Sequence, residues 1–228
     1  MSEMRGIRFT DIASGVSYHT ADDWDLIMSE KLIGMPEPRV LKVDMPDRDG
    51  DLDLSEEIRG RVSYKNRALS FSFICTAPYS TWVNMRTKIA GFLHGKRMKI
   101  EDPDTPGEYY SGRCTLHEPS YKGEAIMFLT VTVDAYPYRI FTGDVSYDVV
   151  AGDTVTLYNS WMVTKPVVQV SAEMSLKYPT TAGSTATTTL RPNAKYQLSD
   201  FELHRGETDV VITSGSGTIT FTYEQGAI

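Results

Sequence analysis

The residues best placed to do chemistry are the acids that flank Gly50. Residues 46–55 read Pro-Asp-Arg-Asp-Gly-Asp-Leu-Asp-Leu-Ser, with Glu56 and Glu57 next. A calcium-binding loop takes oxygen ligands at fixed positions, with glycine sixth and a bidentate glutamate twelfth. Setting Gly50 sixth puts Asp47 third, Asp49 fifth and Glu56 twelfth. Met45 then falls first, where a hard cation needs an oxygen, and no helical pattern flanks the run. A turn is the simpler reading. Glycine takes positive φ without strain, and aspartate bonds backbone N–H groups two residues on. No metal and no cofactor are expected.

Other chemistry finds no footing. His19, His94, His117 and His204 form no pair at metal-binding spacing, and there is no Cys-x2-Cys. Gly215-Ser-Gly217 lacks the full pattern of a nucleophile elbow. Gly95-Lys96 is followed by Arg97, with no glycine five residues earlier, so it is no phosphate loop. The 30 Asp and Glu residues guarantee chance pairs, whose placement across a cleft a sequence does not reveal. The chain reads as a non-enzyme. One stretch has the ingredients of a sugar site, an exposed ring beside an amide: Tyr158-Asn-Ser-Trp161, with Tyr158 and Trp161 as candidate glycan contacts and Tyr178 and Tyr196 further out. Against this, a tryptophan in a small β domain is commonly core.

With 228 residues, 41% hydrophobic and 23% charged, the composition is that of a folded domain pair or one large β domain. The net charge of −7 argues against nucleic-acid binding, which needs cations to neutralise phosphates. Residues 1–140 carry 18 basic and 21 acidic side chains, and residues 141–228 only 5 and 9. The back is charge-poor and Thr-rich, which places a domain boundary near residue 140. Cys75 and Cys114 sit among apolar residues and are expected to be reduced core thiols. No apolar run is long enough to span a bilayer as a helix, and the N-terminus lacks the apolar core of a signal peptide. The protein is expected to stay in the cytoplasm where it is made, leaving only within a larger assembly.

The elements that must hold these residues are mostly strands. Residues 7–10, 24–32, 39–44 and 99–103 read as strands, with breaks at residues 13–15 and 34–38. Leu52 and Leu54 alternate with Asp51, Asp53 and Ser55, as in a half-buried strand. Residues 68–75 alternate strictly. Residues 108–117 and 125–134 form a hairpin around Pro119 and Gly123. One helix is expected over residues 80–95. Trp82, Met85, Ile89, Phe92 and Leu93 make its apolar stripe, Ser80 or Thr81 would cap it, and Gly95 would end it. Beyond residue 143, short strands at 145–150, 154–158, 166–170, 185–190, 209–212 and 218–223 alternate with Gly and Pro turns. That pattern suggests an antiparallel sandwich.

The Asp-rich segment, Tyr64-Lys-Asn-Arg67 and the alternating run after it resemble the N-terminal domain of siphophage distal tail (Dit) proteins, where Pro-x-Arg-x-Gly-x-Leu-Asp precedes Tyr-x-x-Arg. The helix ending in His94-Gly95, Tyr109-Tyr-x-Gly-Arg113 and Asp134-Ala-Tyr-Pro-Tyr138 extend the resemblance, and residues 203–223 resemble the last strands of that family's galectin-like C-terminal domain. The resemblance implies a mainly β fold with one helix: a ring-forming N-terminal domain over 1–140 and a C-terminal β-sandwich over 141–228. It implies a structural virion protein of the phage tail tip, forming a ring of about six copies that joins the tail tube to the adsorption apparatus. Its partners would be itself, the tube protein and baseplate or receptor-binding proteins, with host polysaccharide as the ligand of the alternative, carbohydrate-binding reading. Membrane insertion and sequence-specific nucleic-acid binding are not implied. Asp47, Arg48, Gly50, Leu52, Asp53, Tyr64 and Arg67 would shape the ring domain. Arg48 and Arg67 would bond carboxylates or backbone carbonyls, within a subunit or between subunits.

Overall fold

The computed structural model describes residues 6–46, 49–56 and 61–228. The chain divides into two compact units, one reaching Arg139 and the other spanning Ile140–Ala227. Strands dominate both.

The first unit contains β1 (Arg8–Asp11), β2 (Ser17–His19), the short α1 (Thr20–Trp24), β3 (Leu26–Ile33), β4 (Lys42–Val43), β5 (Leu52–Asp53), β6 (Arg67–Cys75), α2 (Trp82–Leu93), β7 (Arg97–Glu101), β8 (Glu108–Leu116), β9 (Ser120–Lys122) and β10 (Ile126–Ala135). Antiparallel pairing runs β3-β6-β10-β8-β7-β1-β2. Successive side chains of a strand point to opposite faces, so one alternate set makes the core. On β6 the inward set is Arg67, Leu69, Phe71, Phe73 and Cys75; on β10 it is Met127, Leu129, Val131, Val133 and Ala135. Phe9, Met98, Ile100, Tyr110 and Cys114 join them. The helix α2 lays Trp82, Ile89 and Leu93 on this core, with Met85 and Phe92 at its margin.

Several expectations need correction here. Trp24 closes a helical turn before β3, and Asp25 takes a left-handed φ of 51° to start the strand. Only Lys42 and Val43 of residues 39–44 are strand, since this segment is exposed on both sides and has a two-residue partner. The helix begins after a 3-10 turn, Tyr79–Thr81, and neither Ser80 nor Thr81 caps it by a side-chain bond. Instead the Thr81 hydroxyl donates to the Pro78 carbonyl at 2.7 Å. The hairpin after β8 is longer than expected, because β9 also pairs with the start of β10.

The second unit holds β11 (Arg139–Val150), β12 (Thr154–Asn159), β13 (Val167–Val170), β14 (Met174–Pro179), β15 (Thr185–Leu190), β16 (Lys195–Gln197), β17 (Gly206–Ser214) and β18 (Ser216–Ala227). Two antiparallel layers, β16-β13-β18-β11 and β12-β17-β14-β15, enclose one core. Val168, Val170, Ile219 and Phe221 come from the first layer; Leu157, Leu176, Leu190, Val210 and Ile212 come from the second. The layered sandwich follows from the alternation on each strand. Strands β14 and β16 lie outside the segments that alternation marks as strands. Among the described residues, no helix is long and apolar enough to cross a membrane.

Candidate functional site

Strands β3 and β6 are adjacent and antiparallel, yet the described residues between them, 34–46, 49–56 and 61–66, leave that sheet. This excursion is an arm. Its root is tied by backbone bonds: Gly34 N–H to the Ala68 carbonyl (2.9 Å), Lys65 N–H to Glu37 (2.8 Å) and Arg39 N–H to Ser63 (2.7 Å). Pro38 and Tyr64 form an isolated bridge, and Lys65 pairs with Glu37 at 3.0 Å. Its body is the β4–β5 ribbon, in which Val43 faces Leu52 and Lys42 faces Asp53. Ser55 staples the ribbon, its hydroxyl accepting the Leu41 N–H at 2.9 Å.

The residues singled out from sequence fall on this arm. Gly50 has φ 76°, the left-handed conformation that favours glycine. Leu52 and Leu54 are half-buried while Asp51 and Asp53 are exposed. The Asp53 carboxylate accepts from the Ser55 hydroxyl and N–H, and these bonds hold its pKa below the usual range. Tyr64 sits at the root, its ring edge-on to Tyr138 at 6.2 Å. Arg67 is 3% exposed; its Nε donates to the Gly34 carbonyl at 2.9 Å, and its Cζ lies 5.5 Å from the Tyr110 ring centroid. Burial is the main cause of its lowered pKa, and nearby Arg139 adds to it. Arg67 thus bonds a carbonyl of its own chain and locks the arm's exit from the sheet. Asp47 and Arg48 lie outside the described residues. Strands, not helices, flank Gly50, which is not the frame of a helix-loop-helix calcium site.

The arm exposes apolar side chains to solvent among its charged ones. Met35 (73% exposed), Val40, Leu41, Val43 and Met45 are all exposed, as is Leu32 on β3. Periodicity could have flagged this: residues 39–45 carry apolar side chains that no opposing sheet covers.

The two glycan candidates separate. Tyr158 points outward from β12, 60% exposed, directly across from Glu207 on β17. Asp209, Lys177, Pro179 and Thr185 line a groove of about 300 Å3 on that same face. Trp161 is half-buried, and the Arg205 guanidinium covers its ring. Tyr178 is core. Among the described residues no group of three or more His, Cys, Asp or Glu side chains is placed to hold a metal. Both thiols are buried; burial raises Cys75 and pushes Cys114 up to about 12.

The chain matches no family model and no curated protein. Among solved structures it is similar to the crystal structure of SPP1 Dit (gp 19.1), described as a paradigm of the hub adsorption apparatus in phages infecting Gram-positive bacteria. The likeness covers 96% of this chain and 98% of that one, with a TM-score of 0.63 and 14% sequence identity. The chain has the fold of a phage Dit hub protein over nearly its full length.

Proposed function

We propose that this protein is a structural component of a phage tail tip, a distal tail protein whose copies close into a ring joining the tail tube to the host-adsorption apparatus. The observation that carries the reading is the end-to-end fold likeness to SPP1 Dit, which includes both units rather than one widespread sandwich. Fold alone hosts many functions. An arm that presents apolar side chains to water supplies independent support. A patch of this kind on one domain marks an interaction surface.

On this reading the first unit makes the ring and the second projects as a sandwich. The contact between copies is heterologous, one face against a different face, because only that arrangement generates a closed ring from identical subunits beyond a dimer. About six copies are expected. The partners are further copies, the tube protein, and baseplate or receptor-binding proteins. The protein is made in the host cytoplasm and carried in the virion, and it performs no catalysis. Electron microscopy of the purified protein at high concentration tests this. Annular particles with a central hole are expected. Solitary molecules, both alone and when mixed with isolated tail tubes, would overturn it.

A second reading rests on Tyr158. Its exposed ring opposes Glu207 beside a groove carrying Asp209 and Lys177, an aromatic platform with hydrogen-bonding groups suited to a sugar. On this reading the second unit contributes to host-surface recognition by binding wall polysaccharide. Retention of the full chain on host wall polysaccharide, lost in Tyr158→Ala, is the expected result; equal retention of both proteins would remove it.

A further inference from the structure

We infer that the exposed Tyr158 ring and the Glu207 carboxylate beside it select a sugar unit that carries a protonated amine. The inference rests on the polysaccharide-binding reading of the second unit and names the class of sugar bound.

Strands β12 and β17 place the two groups. Thr154, Thr156 and Tyr158 face outward on β12, while Val155, Leu157 and Asn159 turn inward. Tyr158 stands opposite Glu207, and Thr156 opposite Asp209. Side chains directly opposed across a strand pair have Cβ atoms about 5 Å apart, so ring and carboxylate share one spot on the sheet. The Tyr223 hydroxyl donates to the Tyr158 carbonyl at 2.9 Å and holds the backbone beneath the ring. Of the two acids, Asp209 is already engaged, since it accepts the Thr156 hydroxyl at 2.6 Å. Glu207 has no such partner. Among the described residues, the ion pairs of this unit join Lys165 and His204 to Glu202 and Arg191 to Glu173, and none reaches Glu207. Arg205, two residues before it, turns its guanidinium onto the Trp161 ring instead. Lys177 faces Val211, four residues further along β17 and roughly 13 Å away. The charge of Glu207 therefore stands unanswered beside an exposed aromatic ring.

The two groups make different demands on a ligand. A pyranose can lay its C–H face on an aromatic ring whatever its charge. Doing so here takes water away from Glu207. A neutral sugar offers that carboxylate hydroxyl donors and no countercharge, and a carboxylate that loses water without one is costly. A sugar acid or a phosphate unit brings like charge to the same spot, which is worse. An ammonium next to the stacked face answers both groups. It donates a charge-assisted hydrogen bond to Glu207, and it lies near a ring face that attracts cations. Acetylating that nitrogen removes the charge and leaves the sugar ring free to stack. Selection is then a difference between two affinities, in which the amine acts through Glu207 and the stacking through Tyr158. Past Glu207 the face continues as the groove of about 300 Å3, where Val211 and Pro179 give an apolar floor and Thr185 and Lys177 can bond the next unit of the polymer.

Titration calorimetry on the full chain tests this with three probes: a β-1,4-linked glucosamine hexamer, the same hexamer fully N-acetylated, and hexalysine. At pH 6, where the sugar amines are protonated, the glucosamine hexamer is expected to bind about tenfold more tightly than the acetylated one, the worth of one charge-assisted hydrogen bond. Glu207→Gln is expected to abolish that preference and Tyr158→Ala to abolish binding of both sugars, each with unchanged circular dichroism. Glu207→Lys, at the same exposed position, is expected to reverse the preference and decides the matter where Glu207→Gln folds poorly. Hexalysine is expected to bind weakly and to be indifferent to Tyr158→Ala. Equal affinity for the two sugar hexamers, both lost in Tyr158→Ala, would overturn the amine selection and leave sugar binding standing. So would binding of neither hexamer by a chain that still holds wall polysaccharide through Tyr158. Hexalysine binding as tightly as the glucosamine hexamer would reduce the effect to general charge attraction and overturn the inference. A chain that holds neither hexamer nor wall polysaccharide would overturn both the inference and the reading beneath it.

Discussion

The guanidinium of Arg205 lies over the face of Trp161, its Cζ 4.2 Å from the ring centroid. A sugar stacking on this indole would first have to displace a cation from it. Trp161 is therefore expected to contribute stability, not binding. Trp161→Ala should cost about 2 kcal/mol through lost ring packing and the cation–π contact. Tyr158→Ala, at an exposed outward position, should stay within about 0.5 kcal/mol of the parent. Denaturant unfolding of both variants checks this. A neutral Trp161→Ala would reopen the indole as a ligand platform.

A second expectation concerns alkaline pH. The Lys31 ammonium lies 2.6 Å from Asp102 and 2.6 Å from Asp104, and so ties β3 to the loop after β7. Burial acts to lower the Lys31 pKa, but the bonds to Asp102 and Asp104 outweigh it, and the net shift is upward. A raised folded pKa means that the contribution is complete below the unfolded value of about 10.4. It is lost as pH rises through the folded value. Melting temperature should therefore fall above pH 10 more steeply in the parent than in Lys31→Met. The variant itself should lose about 3 kcal/mol at neutral pH, since Asp102, 4% exposed, is left charged without its partner. Parallel alkaline slopes for the two proteins would show that this ion pair is not what titrates.

How far these features were legible differs between the two units. The alternation of residues 68–75 and the stripe of α2 are local patterns, and each matched its burial in the fold. Strand β14 escaped because Lys177 and Pro179 interrupt its outward face, although Met174, Leu176 and Tyr178 alternate inward as a strand should. The arm was half legible. Gly50, Leu52 and Asp53 announce a turn and a ribbon, and Arg67 announces a fixed bond. That its partner is the Gly34 carbonyl, 33 residues away, follows only from the pairing of β3 with β6. The ring cluster of Tyr18, Trp24 and Phe92, whose centroids lie 4.8 to 5.7 Å apart, was not legible at all, because the three come from β2, α1 and α2 and their meeting is tertiary.

The thiols give a third test. Cys75 and Cys114 are inward-facing on β6 and β8, and burial raises both pKa values, Cys114 to about 12. The reactive species is the thiolate, so alkylation in the native state at pH 8 should be slow. Mass spectrometry after iodoacetamide should show no adduct without denaturant and two adducts with it. Rapid native labelling at Cys114 would mean that β8 opens locally far more often than its packing implies.

Two glycines separate conformation from crowding. Gly50 has φ 76° with open space around it, so a side chain there meets only backbone strain. Gly112 has no unusual φ, but a Cβ on it would lie 2.6 Å from Ala135 Cα and 2.6 Å from the Asp134 carbonyl oxygen. Both are backbone atoms of the adjacent strand and cannot rotate away. The site is the point where β8 is paired on both sides, Gly112 facing Met98 on β7 and Ala135 on β10. Gly50→Val should cost about 1 to 2 kcal/mol, the strain of a β-branched residue at positive φ, and Gly50→Asn should cost much less because asparagine tolerates that region. Gly112→Ala should cost more than Gly50→Ala, about 2 to 3 kcal/mol, because the strands must separate to admit one methyl group. Urea unfolding of the four variants ranks them. The reverse order would place the tighter constraint at the tip of the arm, and the two-sided pairing of β8 would no longer explain its glycine.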